Sequence, residues 1–452
     1  MRPSEEYCII IYGIFIHGAI PVFLDPGMPQ ESLSACIEEL NPSLWISDTK
    51  IEDSKNILAS HLISLEIHSK PKKKFSLPTY SKNEICLIIY TSGTTGLPKG
   101  VPWTHENVRS HLNVQRTSYQ ISDLKTEFVL FSHLAISAIA MGRCCVLPKL
   151  PSLQPAKIDI QATIEQIGRY GCDYIFGSPT FWRRLVAYCK QKNIKIENIK
   201  VATTAGAAIN FQILSELQDV IVGAAIYVPY AGTEVLMPIS VVNFDELSNL
   251  TRIGTANGRG IPIGKICADR QLLIAPLPQP EKLNHILKSN SVGEILISGP
   301  RVSKRYLKRE NLTALAKRVD SDGTIWHRMG DLGYIDSDGM IWFLCRAKHA
   351  KIHQGLYVFP DQVEQFYNYH LQIEECAYVI SPESDKAYLI IPNEFRGKFS
   401  ELSVNLLAKQ IHSSSPTLVY YEDRLPADTR HNSKLDKSQL ENWVLRLENS
   451  EN

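Results

Sequence analysis

The sequence lacks a surplus of charge of either sign. Its 452 residues hold 48 Lys and Arg against 47 Asp and Glu, a formal net charge of +1, so the total points to no nucleic acid and to no strongly acidic partner. It lacks paired cysteines as well. The ten cysteines are scattered, only Cys144 and Cys145 lie together, and no CxxC or Cys/His ligand spacing occurs. That excludes a zinc module and a disulfide framework, and it points to reduced thiols and a cytoplasmic location. No GxGxxG follows a strand with an acid about 20 residues on, which removes a nicotinamide-dependent dehydrogenase. Long apolar runs are missing too. Cys8–Ile16 is almost wholly apolar, but His17 and Gly18 interrupt it well short of the roughly 20 residues of a membrane span. Glu5 and Glu6 stand where a signal peptide would be positive, so a buried helix followed by a strand at Ile20–Leu24 is expected instead. The one dense basic run, Lys70-Pro71-Lys72-Lys73-Lys74, reads as a solvated loop.

What is present begins with Tyr90-Thr91-Ser92-Gly93-Thr94-Thr95-Gly96-Leu97-Pro98-Lys99-Gly100. The apolar run Ile85–Tyr90 before it predicts a buried strand, so the loop leaves a strand end. Glycines at 93, 96 and 100 allow successive N–H groups to converge on an anion, Thr91, Ser92, Thr94 and Thr95 add hydroxyls, and Lys99 adds a positive charge. The spacing is not GxxxxGK[ST], which disfavours a P-loop kinase or GTPase. A hydroxylated glycine turn is also common between any strand and helix, so composition alone leaves the role open. A helix over Val101–Val114 is expected, capped through Thr104 and Asn107, with its dipole beside the loop.

Further along, apolar strands alternate with amphipathic stretches, the pattern of parallel α/β layers. Asp173–Phe176 and Val201–Thr204 end in small residues, and Ala224–Tyr230 runs into Tyr230-Ala231-Gly232-Thr233-Glu234. A carboxylate and a hydroxyl at a tight turn suit magnesium held against phosphate oxygens, although a Gly-Thr-Glu turn alone is weak support. Asp338-Gly339 between two alternating apolar runs predicts a hairpin. Asp331, following Gly330, is placed to accept ribose hydroxyls, or else is a solvent-facing turn residue. Strands at Cys376–Ile380 and Ala387–Ile391 with a helix at Leu402–Ile411 predict a small α+β unit.

Taken together, these strings resemble the AMP-forming acyl ligases, the adenylate-forming superfamily of acyl-CoA synthetases, peptide-synthetase adenylation domains and luciferases. The likeness spans nearly the whole chain. It implies an α/β fold with a large N-terminal domain of α/β layers and a β-rich subdomain (1–344), then a small mobile α+β C-terminal domain (345–452). It implies ATP and magnesium as cofactors, coenzyme A as an option, and a small-molecule fatty acid as substrate. Matched residue by residue, Thr91, Ser92, Gly93, Thr94, Thr95, Gly96 and Lys99 would hold the phosphates, and Gly206 and Ala207 the adenine. Tyr230 would offer adenine a face, Asp331 and Arg346 would fix the nucleotide, Thr233 would touch phosphate and Glu234 would ligate the metal. His133 and Gly232 would border the acyl pocket, and Lys434 would be the catalytic lysine.

Departures accompany the match. Ala231 and Cys345 replace family glycines, and the segment Gly18-Ala19-Ile20-Pro21-Val22 leading to Asp25-Pro26-Gly27 comes earlier than in the family. The resemblance therefore implies a chain short at its N-terminus, and a non-catalytic nucleotide-binding or interaction protein stays open. Arg430-His431-Asn432-Ser433-Lys434 replaces the usual Pro-Lys-Thr-x-Ser-Gly-Lys. With Met1-Arg2-Pro3, Pro155-Ala156-Lys157, Phe176–Pro179 and His327–Asp331, it resembles the olefin β-lactone synthetase and fatty-acid CoA ligase branch. The implied reaction is activation of a fatty, optionally 3-hydroxylated, carboxylate as acyl adenylate with release of pyrophosphate. Transfer to coenzyme A follows, or alternatively closure to a β-lactone. No nucleic acid and no transmembrane segment are expected, and peripheral membrane or partner-enzyme association is left open.

Overall fold

The strand predicted ahead of the glycine loop forms over Ile85–Thr91, with Cys86, Leu87, Ile88 and Tyr90 buried. It belongs to a computed structural model describing residues 4–25, 28–46, 77–91, 97–119, 123–131, 133–148, 158–205, 211–277, 287–411, 416–421, 424–426 and 435–451. Two compact units result: one of residues 1–176, 233–236 and 300–317, the other of 177–232, 237–299 and 318–452.

In the first unit, Ile85–Thr91 pairs in parallel with the short strand Val22–Phe23 and antiparallel with Lys99–Thr104. The N-terminal apolar run is the helix Glu5–Ile16, capped by Ser4, but the expectation that it is buried is corrected: only Tyr7 and Ile11 are buried, and Ile9 and Ile16 are exposed. The expected helix over 101–114 is corrected here. Val101–Trp103 belongs to the strand that returns from the loop, and the helix is His105–Ser118. The cap is where its residues place it, for Thr104 and Asn107 form a reciprocal capping box. Six residue steps separate Lys99 from His105, so the helix start stands roughly 20 Å along the strand from the loop, too far for its dipole to act there. The strand Thr126–Val129 lies between Cys144–Val146 and Tyr174–Gly177, both parallel to it. The apolar stretch Leu44–Ile46 contributes a single bridging residue, Trp45.

The second unit carries strands of several sheets. Val201–Thr204 runs parallel to Ala225–Tyr230, which pairs antiparallel with Ser240–Asn243. The β-rich part is an antiparallel sheet ordered Ile261–Pro262, Ile341–Arg346, Ile325–Ile335, Gly293–Ser298, Gln271–Ala275. Its predicted hairpin turns at Asp338-Gly339, where Gly339 has φ +78°. Asp336 fastens that turn, accepting from the Asp338 and Met340 amides at 3.0 and 2.9 Å and from the Trp342 indole at 2.8 Å. The α+β part is a sheet of Ala377–Ile380, Ala387–Pro392 and Thr417–Tyr421. Strand alternation sends Tyr378, Ile380, Leu389 and Ile391 to one face, against Val363, Phe366, Tyr367 and Val404. Ala377, Val379, Tyr388 and Ile390 go to the other, against Leu440 and Val444 of the helix Lys437–Glu451. Each face is covered by a helix because the period-two pattern is apolar on both sides.

Candidate functional site

In the first unit, Thr233 and Glu234 occupy the turn anticipated for them. The Thr233 carbonyl accepts from the Trp103 indole at 3.0 Å, and the Glu234 carbonyl from the Ser303 amide at 2.8 Å. Both contacts hold the backbone and leave the Glu234 side chain to other partners. Its Oε1 accepts a 2.7 Å hydrogen bond from the Tyr306 hydroxyl. Burial, together with the Glu234 charge, raises the Tyr306 phenol, so it stays a donor. Lys99 lies 5.2 Å from the centroid of the same ring and Lys317 5.9 Å from it. Burial lowers the Lys317 amine to about 7, opposed by Glu234. The cluster is thus one carboxylate, one phenol and two amines around one ring. Ala231 stands outside the left-handed region, so this turn does not require glycine at that position.

In the second unit, Tyr230, Asp331 and Arg346 meet. Asp331 and Arg346 are opposed across two neighbouring strands. The Tyr230 hydroxyl donates to Asp331 Oδ2, and Arg346 Nη1 pairs with Oδ1 at 2.8 Å. Asp331 is 2% exposed, so the reading of a solvent-facing turn aspartate is excluded. Gly330, at φ +66°, takes a conformation that a side chain would strain. The register against Gly293–Ser298 shifts beside it, a bulge that re-aims the carboxylate. Arg346 also donates to the Met329 carbonyl at 3.2 Å, fixing that bulge. Burial and Asp331 raise the Tyr230 phenol well above its ordinary value. A preset carboxylate flanked by a phenol and a guanidinium can receive vicinal hydroxyls. Cys345, which replaces a family glycine, sits fully buried in ordinary strand Ile341–Arg346.

The remaining expected residues are distributed as follows. Thr91 ends its strand opposite Lys99. Ser92, Gly93, Thr94, Thr95, Gly96, Gly206, Ala207 and Lys434 lie outside the described residues. His133 is exposed at the start of the helix Leu134–Ala140, with its ring 6.2 Å from that of Phe131. Gly232 directly precedes Thr233 and is half-buried. Two members of the Glu234 cluster, Tyr306 and Lys317, carried no site signal in the sequence; they sit 72 and 83 residues from Glu234 along the chain, and only folding joins them.

Among the described residues no group of three or more His, Cys, Asp or Glu side chains could hold a metal ion, and Glu234 stands at its turn as a single carboxylate. A single carboxylate fits magnesium, which keeps several waters and takes its other ligands from substrate phosphates. Among the described residues no helix is long and apolar enough to cross a membrane.

Comparison with known proteins gives the following. A family model described as AMP-binding enzyme matches residues 1–307. The chain is 26% identical to the olefin β-lactone synthetase of Xanthomonas campestris pv. campestris, over 98% of this chain and 85% of that protein. It is 25% identical to a 2-succinylbenzoate–CoA ligase of Geobacillus sp., over 99% of this chain and 87% of that one. Among solved structures, the O-succinylbenzoate coenzyme A synthetase of Bacillus subtilis, in complex with ATP and magnesium ion, superposes with a TM-score of 0.76 at 18% identity, covering 97% of this chain and 87% of that one.

Proposed function

Since this chain belongs to the AMP-binding enzyme family, we infer that it activates the carboxylate of a fatty acid with ATP and magnesium, forming an acyl adenylate and releasing pyrophosphate. The observation that carries the reading is the Glu234 cluster, an acidic turn braced by Tyr306 and attended by Lys99 and Lys317. A carboxylate approaching the α-phosphate of ATP sets anion against anion, so neutralisation is the chief catalytic need. Bound magnesium would screen the phosphate oxygens from a position at Glu234. Lys99 would face the phosphates with its ammonium, and Asp331, oriented by Tyr230 and Arg346, would take the ribose hydroxyls. A carboxylate oxygen of the acid forms a bond to the α-phosphorus, the bond from that phosphorus to the bridging oxygen breaks, and pyrophosphate departs with the electron pair.

Loss of the Tyr306 hydroxyl tests the brace. Hydrogen bonds to charged groups contribute about 1.5–3 kcal/mol, so Tyr306→Phe should lower kcat/KM for ATP by about tenfold or more. An unchanged kcat/KM would remove Tyr306 from the site.

For the second step, two readings have support. Closure of a 3-hydroxyacyl adenylate to a β-lactone is favoured by the β-lactone synthetase relative, which is matched over 98% of this chain. In that reaction the 3-hydroxyl oxygen attacks the acyl carbon, its proton passes to solvent, and AMP leaves. Transfer to coenzyme A is favoured by the 2-succinylbenzoate–CoA ligase relative. Purified protein incubated with ATP, magnesium and either 3-hydroxy or unsubstituted fatty acids, with and without coenzyme A, separates them by product mass. Lactone closure predicts a product one water lighter than the 3-hydroxy acid, formed without coenzyme A; thioester formation predicts acyl-CoA from both acids. AMP release with neither acid would reject the fatty-acid assignment.

A further inference from the structure

Lys317 is only 6% exposed, and among the described residues its Nζ has no hydrogen-bond partner. An ammonium carries three donors, and burying it without a partner costs several kcal/mol, whereas methionine would fill similar space at little cost. The surroundings of Lys317 indicate what meets that charge. The Glu234 carboxylate is near enough to act on it, and the Tyr306 ring that Lys317 faces at 5.9 Å is also faced by Lys99 at 5.2 Å. Glu234 already accepts from the Tyr306 hydroxyl, so one carboxylate is left to face two lysine amines, Lys99 and the buried Lys317. A magnesium ion would make the cluster net positive. A polyanion meets such a field, and a neutral acyl chain does not.

We propose that Lys317 is a polyphosphate-binding residue, whose ammonium donates to a β- or γ-phosphate oxygen of ATP and to the pyrophosphate that leaves. The assignment rests on the adenylation reading above and adds to it a cation outside the glycine loop. Its signature is selectivity. AMP lacks both outer phosphates, so its affinity is independent of Lys317.

Isothermal titration of the wild type and Lys317→Met with magnesium-ATP, magnesium-pyrophosphate and AMP, paired with a thermal melt, decides the matter. The variant is expected to bind ATP and pyrophosphate about tenfold or more weakly, AMP within about twofold of wild type, and to melt at an equal or higher temperature because an unpaired buried charge is gone. Lys317→Arg, which keeps the charge, should recover most of the pyrophosphate affinity. Equal affinity of Lys317→Met for all three ligands would overturn the proposal, as would parallel loss of AMP and ATP binding with a lowered melting temperature, the mark of a packing role. Failure of the wild type itself to bind ATP would instead refute the adenylation reading and this inference with it.

Discussion

Lys434→Ala should slow acyl-adenylate formation by about 10²-fold or more, the order expected for removing one preorganised charge from a site of developing charge, while ATP still binds. The expectation follows from what the reaction lacks without it. In the proposed reaction Glu234 would hold magnesium and Lys99 would face the phosphates, but the incoming carboxylate would also need a cation that it shares with the α-phosphate. Arg430-His431-Asn432-Ser433-Lys434 is the polar segment whose lysine the resemblance proposes for that role. We propose that it acts from a small C-terminal domain beginning at residue 345. Pyrophosphate exchange measured on the variant checks this, with ATP binding measured alongside. Exchange at the wild-type rate would release Lys434 from the role, and loss of ATP binding would show a different one.

The second large effect concerns the helix that follows that segment in the chain. The helix Lys437–Glu451 starts three residues after Lys434, and Lys437 is in direct contact with Glu364 of the helix Pro360–Leu371, both side chains being buried. Glu364 also accepts from the Tyr378 amide at 2.7 Å, which ties both helices to the sheet between them. Burial pushes the Glu364 carboxyl up, against the pull of the ammonium. Burial equally lowers the Lys437 amine, but the attraction of Glu364 and Asp361 outweighs it and the amine stands above its ordinary value, so the lysine remains charged. Removing one partner leaves the other charged and buried. Glu364→Ala should therefore cost about 3–5 kcal/mol, whereas Glu364→Leu combined with Lys437→Met should be nearly neutral. Urea unfolding of the two variants measures this; a loss below about 1 kcal/mol for Glu364→Ala would mean that the pair is not a buried charge pair.

The sequence told most where one local signal was enough. The apolar run Ile85–Tyr90 became a strand, Thr104 and Asn107 became a capping box, Asp338-Gly339 became a hairpin turn, and the alternation at 377–391 became a sheet apolar on both faces. It misled at Val101–Trp103, where residues just ahead of a helix cap read as the first turn of the helix. Those three residues pair instead with Leu87, Ile88 and Ile89, a contact that no local window contains. Asp331 was legible through Gly330, but its burial and its bond from Tyr230, 101 residues away in sequence, were not. Lys317 was least visible of all. Lysines are mostly solvated, and what distinguishes this one is the side chains packed around it.

The claim at the centre of this account is that the protein makes a carboxyl group reactive by joining it to AMP. Incorporation of labelled pyrophosphate into ATP by the purified protein tests it most directly, with magnesium present and coenzyme A absent. The account predicts incorporation when a fatty acid is supplied and none without it. Absence of exchange with every fatty acid tried, by protein that still binds ATP, would contradict it.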